Sequence, residues 1–103
     1  MNKRVTLVAA GIQVTATGQS RALDYLREDA MQFRREWNYE DGDVEDTDDD
    51  VSENADETDV DVSVDDAEGR GERVWTGSAT FGVVVAACDE AEAYRVARAL
   101  LVA

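Results

Sequence analysis

The stretch that decides the fold is RVWTGSATFGVVVAACDEAEAYRVARALL, which runs from Arg73 to Leu101. Its first half is rich in β-branched residues and ends in the apolar run Val83–Ala87, a pattern typical of a central strand buried on both faces. Asp89, with Glu92 three residues later, has the spacing of a helix-capping box. We therefore predict a long central strand followed directly by a helix. The predicted apolar face of this helix consists of Ala93, Tyr94, Ala97, Leu100 and Leu101.

Two further alternating patterns predict the rest of a sheet. Val60, Val62 and Val64 alternate with polar residues, which is typical of an edge strand whose aspartates face water. Residues 5–17 also alternate, with a pause at Gly11. We predict one long strand with a bulge at this glycine, and a tight hairpin is the alternative that remains open.

A helix is predicted between the first strand and the acidic middle of the chain. Ser20 is a suitable N-cap, because its hydroxyl can accept a hydrogen bond from a free amide of the first turn. Apolar residues then recur at steps of three and four, which places them on one helical face. They are Leu23, Leu26, Ala30, Phe33 and Trp37.

The predicted order β-α-β-β-α indicates an α+β fold, a two-layer sandwich with an antiparallel-type sheet and two helices on one face. Residues Thr80 to Leu101 resemble the third strand and second helix of ferredoxin-like domains, over about a fifth of the chain. This resemblance implies a fold and no function. It is incomplete, because the last strand of that fold is missing. We therefore expect an unpaired edge at Arg4–Thr17 or Arg73–Ala87, and a homodimer formed there.

Acidic residues are concentrated in the middle of the chain. Residues 40–72 hold 17 of the 24 acids and one base, Arg70, whereas the rest of the chain holds 7 acids and 9 bases. Arginine outnumbers lysine nine to one and aspartate outnumbers glutamate 14 to 10, a composition that resembles proteins of extreme halophiles. High charge with few apolar residues is typical of disorder. We predict a single domain, residues 1–103, with a disordered acidic segment at about 40–59.

The residues available for chemistry are few. The chain has no histidine and one lysine, Lys3, which removes the commonest general base and metal ligand. The lone Cys88 excludes an internal disulfide, and we expect it to be a small buried residue. We predict no catalytic residue and no cofactor.

The acidic run contains a near-match to a calcium-binding loop. Asp46, Asp48, Asp50 and Glu57 have the EF-hand spacing, but Val51 stands where the loop needs glycine. No metal site is predicted, and we expect weak, nonspecific association of cations with the segment.

Binding of nucleic acid is not predicted either. Trp75 and Phe81 lie on one strand near arginines such as Arg4 and Arg73, as in sheets that stack RNA bases. However, the two aromatic residues are six positions apart and match no RNA-binding motif. We expect Trp75 in the core or in an interface.

The sequence assigns no specific function. Our leading hypothesis is a non-catalytic interaction or regulatory module that binds a protein, either itself or another. The alternatives are a homo-oligomeric small-ligand binder, with a pocket at Trp75, Phe81 or Tyr94, and a carboxylate-dependent enzyme. No run approaches 18 apolar residues, and the start of the chain does not resemble a signal peptide, so we expect a cytoplasmic protein without a membrane span.

Overall fold

The computed structural model describes residues 2–53 and 58–102. The four described strands form one antiparallel sheet in the order β2-β1-β4-β3, and both helices pack on the same face of it. The predicted α+β two-layer fold is therefore confirmed. The elements in chain order are β1 (Asn2–Ala16), α1 (Gln19–Phe33), a 3-10 helix (Arg34–Glu36), β2 (Glu40–Thr47), β3 (Asp59–Val64), β4 (Arg73–Ala86) and α2 (Glu90–Val102).

The sheet contains one strand more than the sequence predicted. The order is β-α-β-β-β-α, which does not confirm the ferredoxin-like order. The two long strands, β1 and β4, are both central, and the edges are β2 and β3. The expectation that Arg4–Thr17 or Arg73–Ala87 presents the unpaired edge is therefore wrong. Short, acidic strands border the long ones instead.

The first strand is one continuous strand rather than a hairpin. Its pairing with β4 shifts between Ala9 and Ile12, which marks a bulge. Gly11 lies in this bulge with φ of 72°, a left-handed conformation that favours glycine. Strand β1 therefore keeps alternating on both sides of the bulge, and buried side chains face the helices along its whole length.

The core lies between the sheet and the two helices. Its largest fully buried side chains come from both central strands and both helices: Val5, Leu7, Leu26, Phe81, Val83, Val85 and Leu101. Phe81 also makes edge-to-face contacts with Trp37 and Tyr39, at centroid distances of 6.3 Å and 5.4 Å. The residues that follow α1 therefore complete the core above the middle of the sheet.

Helix α1 starts earlier than predicted, and its buried face matches the predicted one in part, at Leu26 and Ala30. Its N-cap is Gly18, with no capping side chain, so the predicted cap at Ser20 is wrong. The residues it buries are Ala22, Leu26 and Ala30. Phe33, the last residue of the helix, is 44% exposed, so its predicted burial is wrong.

Helix α2 begins as predicted. The Asp89 carboxylate accepts a hydrogen bond from the Glu92 amide at 2.8 Å, as a capping residue does. The helix buries Ala93, Ala97 and Leu101. Cys88, just before the cap, is exposed, so the expectation that it is buried is wrong.

The structure also differs from the predicted disorder of residues 40–59. Glu40–Thr47 form β2 and Asp59 begins β3, whereas residues 54–57 of that prediction lie outside the described residues. Val44 of β2 lies opposite Val5 of β1, on the side of the sheet that faces the helices. Pairing with β1 satisfies the backbone of this segment, and one valine is enough to connect it to the core.

Basic residues of the body hold the acidic strand. Lys3 forms an ion pair with Asp46 at 2.7 Å, and Arg98 of α2 forms one with Asp41. The Lys3 hydrogen bond lowers the pKa of the Asp46 carboxyl. These contacts offset part of the repulsion among the acids.

Candidate interaction surface

The candidate site is the face of the sheet that lies opposite the helices, which we call the open face. No helix of the described residues packs on it. The strand register and the alternation of buried residues identify its central positions. On β1 and β4 they are Asn2, Arg4, Thr6, Val8, Gln13, Thr15, Val74, Thr76, Ser78, Thr80, Gly82, Val84 and Ala86. Val84 is the one buried residue among them, at 5% exposure.

The centre of the open face is almost free of charge. Twelve of these thirteen residues are uncharged and the exception is Arg4, although nearly one residue in four of the whole chain is acidic. The edge strands are different. Of the six residues of β2 and β3 paired with open-face positions, four are acidic: Glu40, Glu45, Asp59 and Asp61. The face therefore has an uncharged centre between two acidic borders.

Arg4 is the one charged group at the centre, and its charge is balanced locally. Its guanidinium donates hydrogen bonds to the carboxylates of Asp49 and Asp59. The Asp49 hydrogen bond raises the pKa of Arg4, and the same bond lowers the pKa of Asp49. Arg4 is therefore a fixed part of the surface rather than a cation free to bind a phosphate.

The open face is long, and its side chains are small. Thr6, Thr80 and Gly82 leave a depression of about 430 Å³ beside Arg4. The hydroxyls of Ser63 and Ser78 lie 3.1 Å apart and join β3 to β4. Because strands of this length extend about 45 Å and four strands span about 15 Å, the face measures on the order of 700 Å².

The aromatic residues that the sequence analysis singled out do not lie on the open face. Trp75 and Phe81 are 3% and 1% exposed and point towards the helices. The Trp75 indole donates a hydrogen bond to the Ala16 carbonyl at 3.1 Å, and Arg73 covers its ring at 4.7 Å. Trp75 is therefore a core residue, as expected, and neither ring is available to stack on a base.

The predicted pocket residues are not brought together. Tyr94 lies on α2 and donates a hydrogen bond to the Gly42 carbonyl at 2.9 Å. Trp75 is enclosed by the first half of α1. Phe81 alone reaches a cavity, a cleft of about 300 Å³ between α1 and β3.

An enzyme that uses carboxylates needs at least one acid with a raised pKa. Asp46 and Asp49 have lowered pKa values instead, because each accepts a hydrogen bond from a base, Lys3 or Arg4, at the surface. The near-match to a calcium loop does not form a loop in its first part, because Asp46 lies in β2. Its last position, Glu57, falls outside the described residues.

No known protein family, curated protein or solved structure matches the chain. Neither of the two described helices is long and apolar enough to cross a membrane. The surfaces of the molecule are therefore the features from which a function can be inferred.

The open face was missed in the sequence analysis, although a signal for it exists. β1 and β4 together contain no acidic residue, whereas the segment between α1 and β4 holds 18. Burial explains the lack of acidic residues at the positions that face the helices. It does not explain their lack at the outward positions, several of which are serine or threonine.

Proposed function

We propose that this protein is a non-catalytic interaction module that binds a second copy of itself through the open face. The observation that carries the proposal is the absence of charge at twelve of thirteen central positions in a chain of net charge −14. Interface centres are depleted in charged residues, whereas their borders are polar. The neighbouring strands β2 and β3 are acidic at four of the six outward positions paired with this face, so exposure in this sheet does not by itself exclude acids.

The size and shape of the open face suit a second sheet. A standard interface takes about 800 Å² from each partner, close to the area of this face. Small side chains allow two sheets to pack about 10 Å apart. Identical chains meet most simply about a two-fold axis, which places the same uncharged centre on both sides.

Salt is part of this proposal. The acidic borders of two copies repel each other at low ionic strength, but the Debye length falls from about 10 Å at 0.1 M to about 3 Å at 1 M salt. The halophile-like composition favours a salt-rich cytoplasm as the setting. We therefore expect the dimer in molar KCl and a weaker dimer in dilute buffer.

Sedimentation equilibrium at tens of micromolar tests the proposal. The test variant is Thr80→Asp, which adds an acid at the centre of the open face. The control is Gln32→Asp, which adds the same charge on the exposed side of α1. In molar KCl the natural protein and the control should have a dimer mass, and Thr80→Asp a monomer mass. A monomer mass for the natural protein, or a dimer mass for Thr80→Asp that remains folded by circular dichroism, would contradict the proposal.

A further inference from the structure

The cleft between α1 and β3 lies on the helix side of the sheet, apart from the open face. It has a volume of about 300 Å³. Ala30, Val60 and the fully buried Phe81 form its apolar wall. Met31, which is 71% exposed, lies at its mouth. The cleft therefore offers an apolar surface that is open to solvent on one side.

The polar side chains that line the cleft are Arg27, Arg34 and Thr58. No acidic residue is among the described residues that line it, although acids are the commonest charged residues of the chain. Arg27 lies 3.9 Å from the carboxylate of Asp24, its ion-pair partner within the described residues, which is too long for a good hydrogen bond. The cleft therefore carries two guanidinium groups with free donor capacity.

Two polar atoms of these side chains are buried without a hydrogen-bond partner among the described residues. They are Nε of Arg34 and the hydroxyl of Thr58. The Nη1 atom of Arg34 already donates to the Met31 carbonyl at 2.9 Å, which fixes the guanidinium at the end of α1. Buried polar groups are nearly always hydrogen-bonded in proteins. Nε of Arg34 can only donate, whereas the Thr58 hydroxyl can donate or accept, so one oxygen acceptor can satisfy both groups.

We infer that the cleft binds a small amphipathic anion, a carboxylate joined to an apolar chain or ring. The carboxylate accepts hydrogen bonds from Arg34 and Thr58 with Arg27 nearby, and the apolar part lies against Phe81 and Val60. Guanidinium groups bind carboxylates with strong charge-assisted hydrogen bonds. A cleft of this volume holds about ten water molecules at ~30 Å³ each, which is the size of a medium-chain fatty acid.

Titration with octanoate, followed by amide chemical shifts of the full chain, tests this inference. Shifts should concentrate at the residues of the cleft. The variant Arg34→Gln should weaken binding about tenfold or more, since it removes one charged contact. The matched control is Arg21→Gln, an exposed arginine in the first turn of the same helix, and should change the affinity by less than about twofold.

A second pair of variants guards against damage to the fold. Met31→Glu places a carboxylate at the exposed mouth of the cleft and should abolish octanoate binding, whereas Gln32→Glu on the neighbouring exposed position should not. Octylammonium, which has the opposite charge, should not bind. Shifts spread over the whole surface, equal binding by Arg34→Gln and Arg21→Gln, or equal binding of octylammonium would overturn the inference. None of these results depends on the mass of the assembly, so this site and the open-face dimer are tested separately.

Discussion

The guanidinium of Arg4 donates hydrogen bonds to both Asp49 and Asp59, and so joins the segment that leaves β2 to the first residue of β3. Ser52 continues this attachment, since its amide donates to the Val84 carbonyl at 2.9 Å. Residues 48–53 therefore run across the end of the two central strands, away from the β2 edge and towards the β3 edge. Arg4 forms hydrogen bonds both with this segment and with the first residue of β3. This contact also forms one end of the open face.

The first prediction concerns this arginine. Arg4→Gln should lower the free energy of unfolding in dilute buffer, because two aspartates lose their partner. The loss should be smaller in molar KCl, where the interactions between exposed charges are screened. Urea unfolding at one protein concentration measures the free energy of unfolding in dilute buffer and in molar KCl. Arg95→Gln, on the exposed side of α2, is the control, and equal losses in the two variants would show that Arg4 does not hold the crossing segment.

The second prediction concerns two glycines of β4. A Cβ at Gly77 would lie 2.6 Å from the Ser63 carbonyl oxygen and 2.7 Å from a Leu26 methyl. Gly77→Ala should therefore destabilise the protein by about 1–3 kcal/mol through overpacking. A Cβ at Gly82 meets its nearest atom at 3.7 Å, so Gly82→Ala should be neutral or slightly stabilising. Thermal or urea unfolding measures the stability of both variants. An equal loss of stability in Gly77→Ala and Gly82→Ala would contradict the close contact of α1, β3 and β4 at Gly77.

The third prediction concerns pH. Burial raises the pKa of the Tyr39 hydroxyl to about 12 from 10.0, and this hydroxyl donates to the Arg34 carbonyl at 2.6 Å. Because the folded pKa is the higher one, the stabilisation is complete below pH 10 and is lost as the pH rises through 12. The free energy of unfolding of Tyr39→Phe should therefore depend less on pH between 10 and 12 than that of the natural protein. An ultraviolet titration in which Tyr39 ionises near pH 10 would contradict the burial.

The fourth prediction concerns salt and the acidic segment. Stability should rise with KCl, because the fold brings β2, β3 and their connection together and so concentrates their acids. Asp48→Asn combined with Asp50→Asn removes two charges for which no ion pair is seen within the described residues. This double variant should depend less on KCl than the natural protein. A matched pair on α1, Glu28→Gln with Asp29→Asn, should leave the salt dependence unchanged.

Much of the fold could be predicted because its patterns are local. The alternation around Gly11 predicted one strand with a bulge, and the spacing of Asp89 and Glu92 predicted the start of α2. The failures have a common physical cause. β2 has one half-buried valine, Val44, and its pairing depends on the free edge of β1 and on the distant bases Lys3 and Arg98. No local pattern contains those partners.

The sites were less predictable than the fold for a related reason. The uncharged residues of the open face come from β1 and β4, whose sequences are separated by more than half of the chain. The cleft needs α1 and the start of β3 side by side before Arg34 and Thr58 become neighbours. Phe81 was predictable as a possible pocket residue. The arginines beside it were not, because they come from a different element of the fold.

The central claim, that the open face binds a second copy, is tested most directly by intermolecular nuclear Overhauser effects. A sample that mixes isotope-labelled and unlabelled chains in molar KCl reports contacts between copies only. We predict such contacts at methyl groups of the open face, those of Thr6, Val8, Val74 and Thr80, and none at Leu101 in the core or at Met31 beside the cleft. Contacts confined to the helix side, or none from a sample with a dimer mass, would contradict the account.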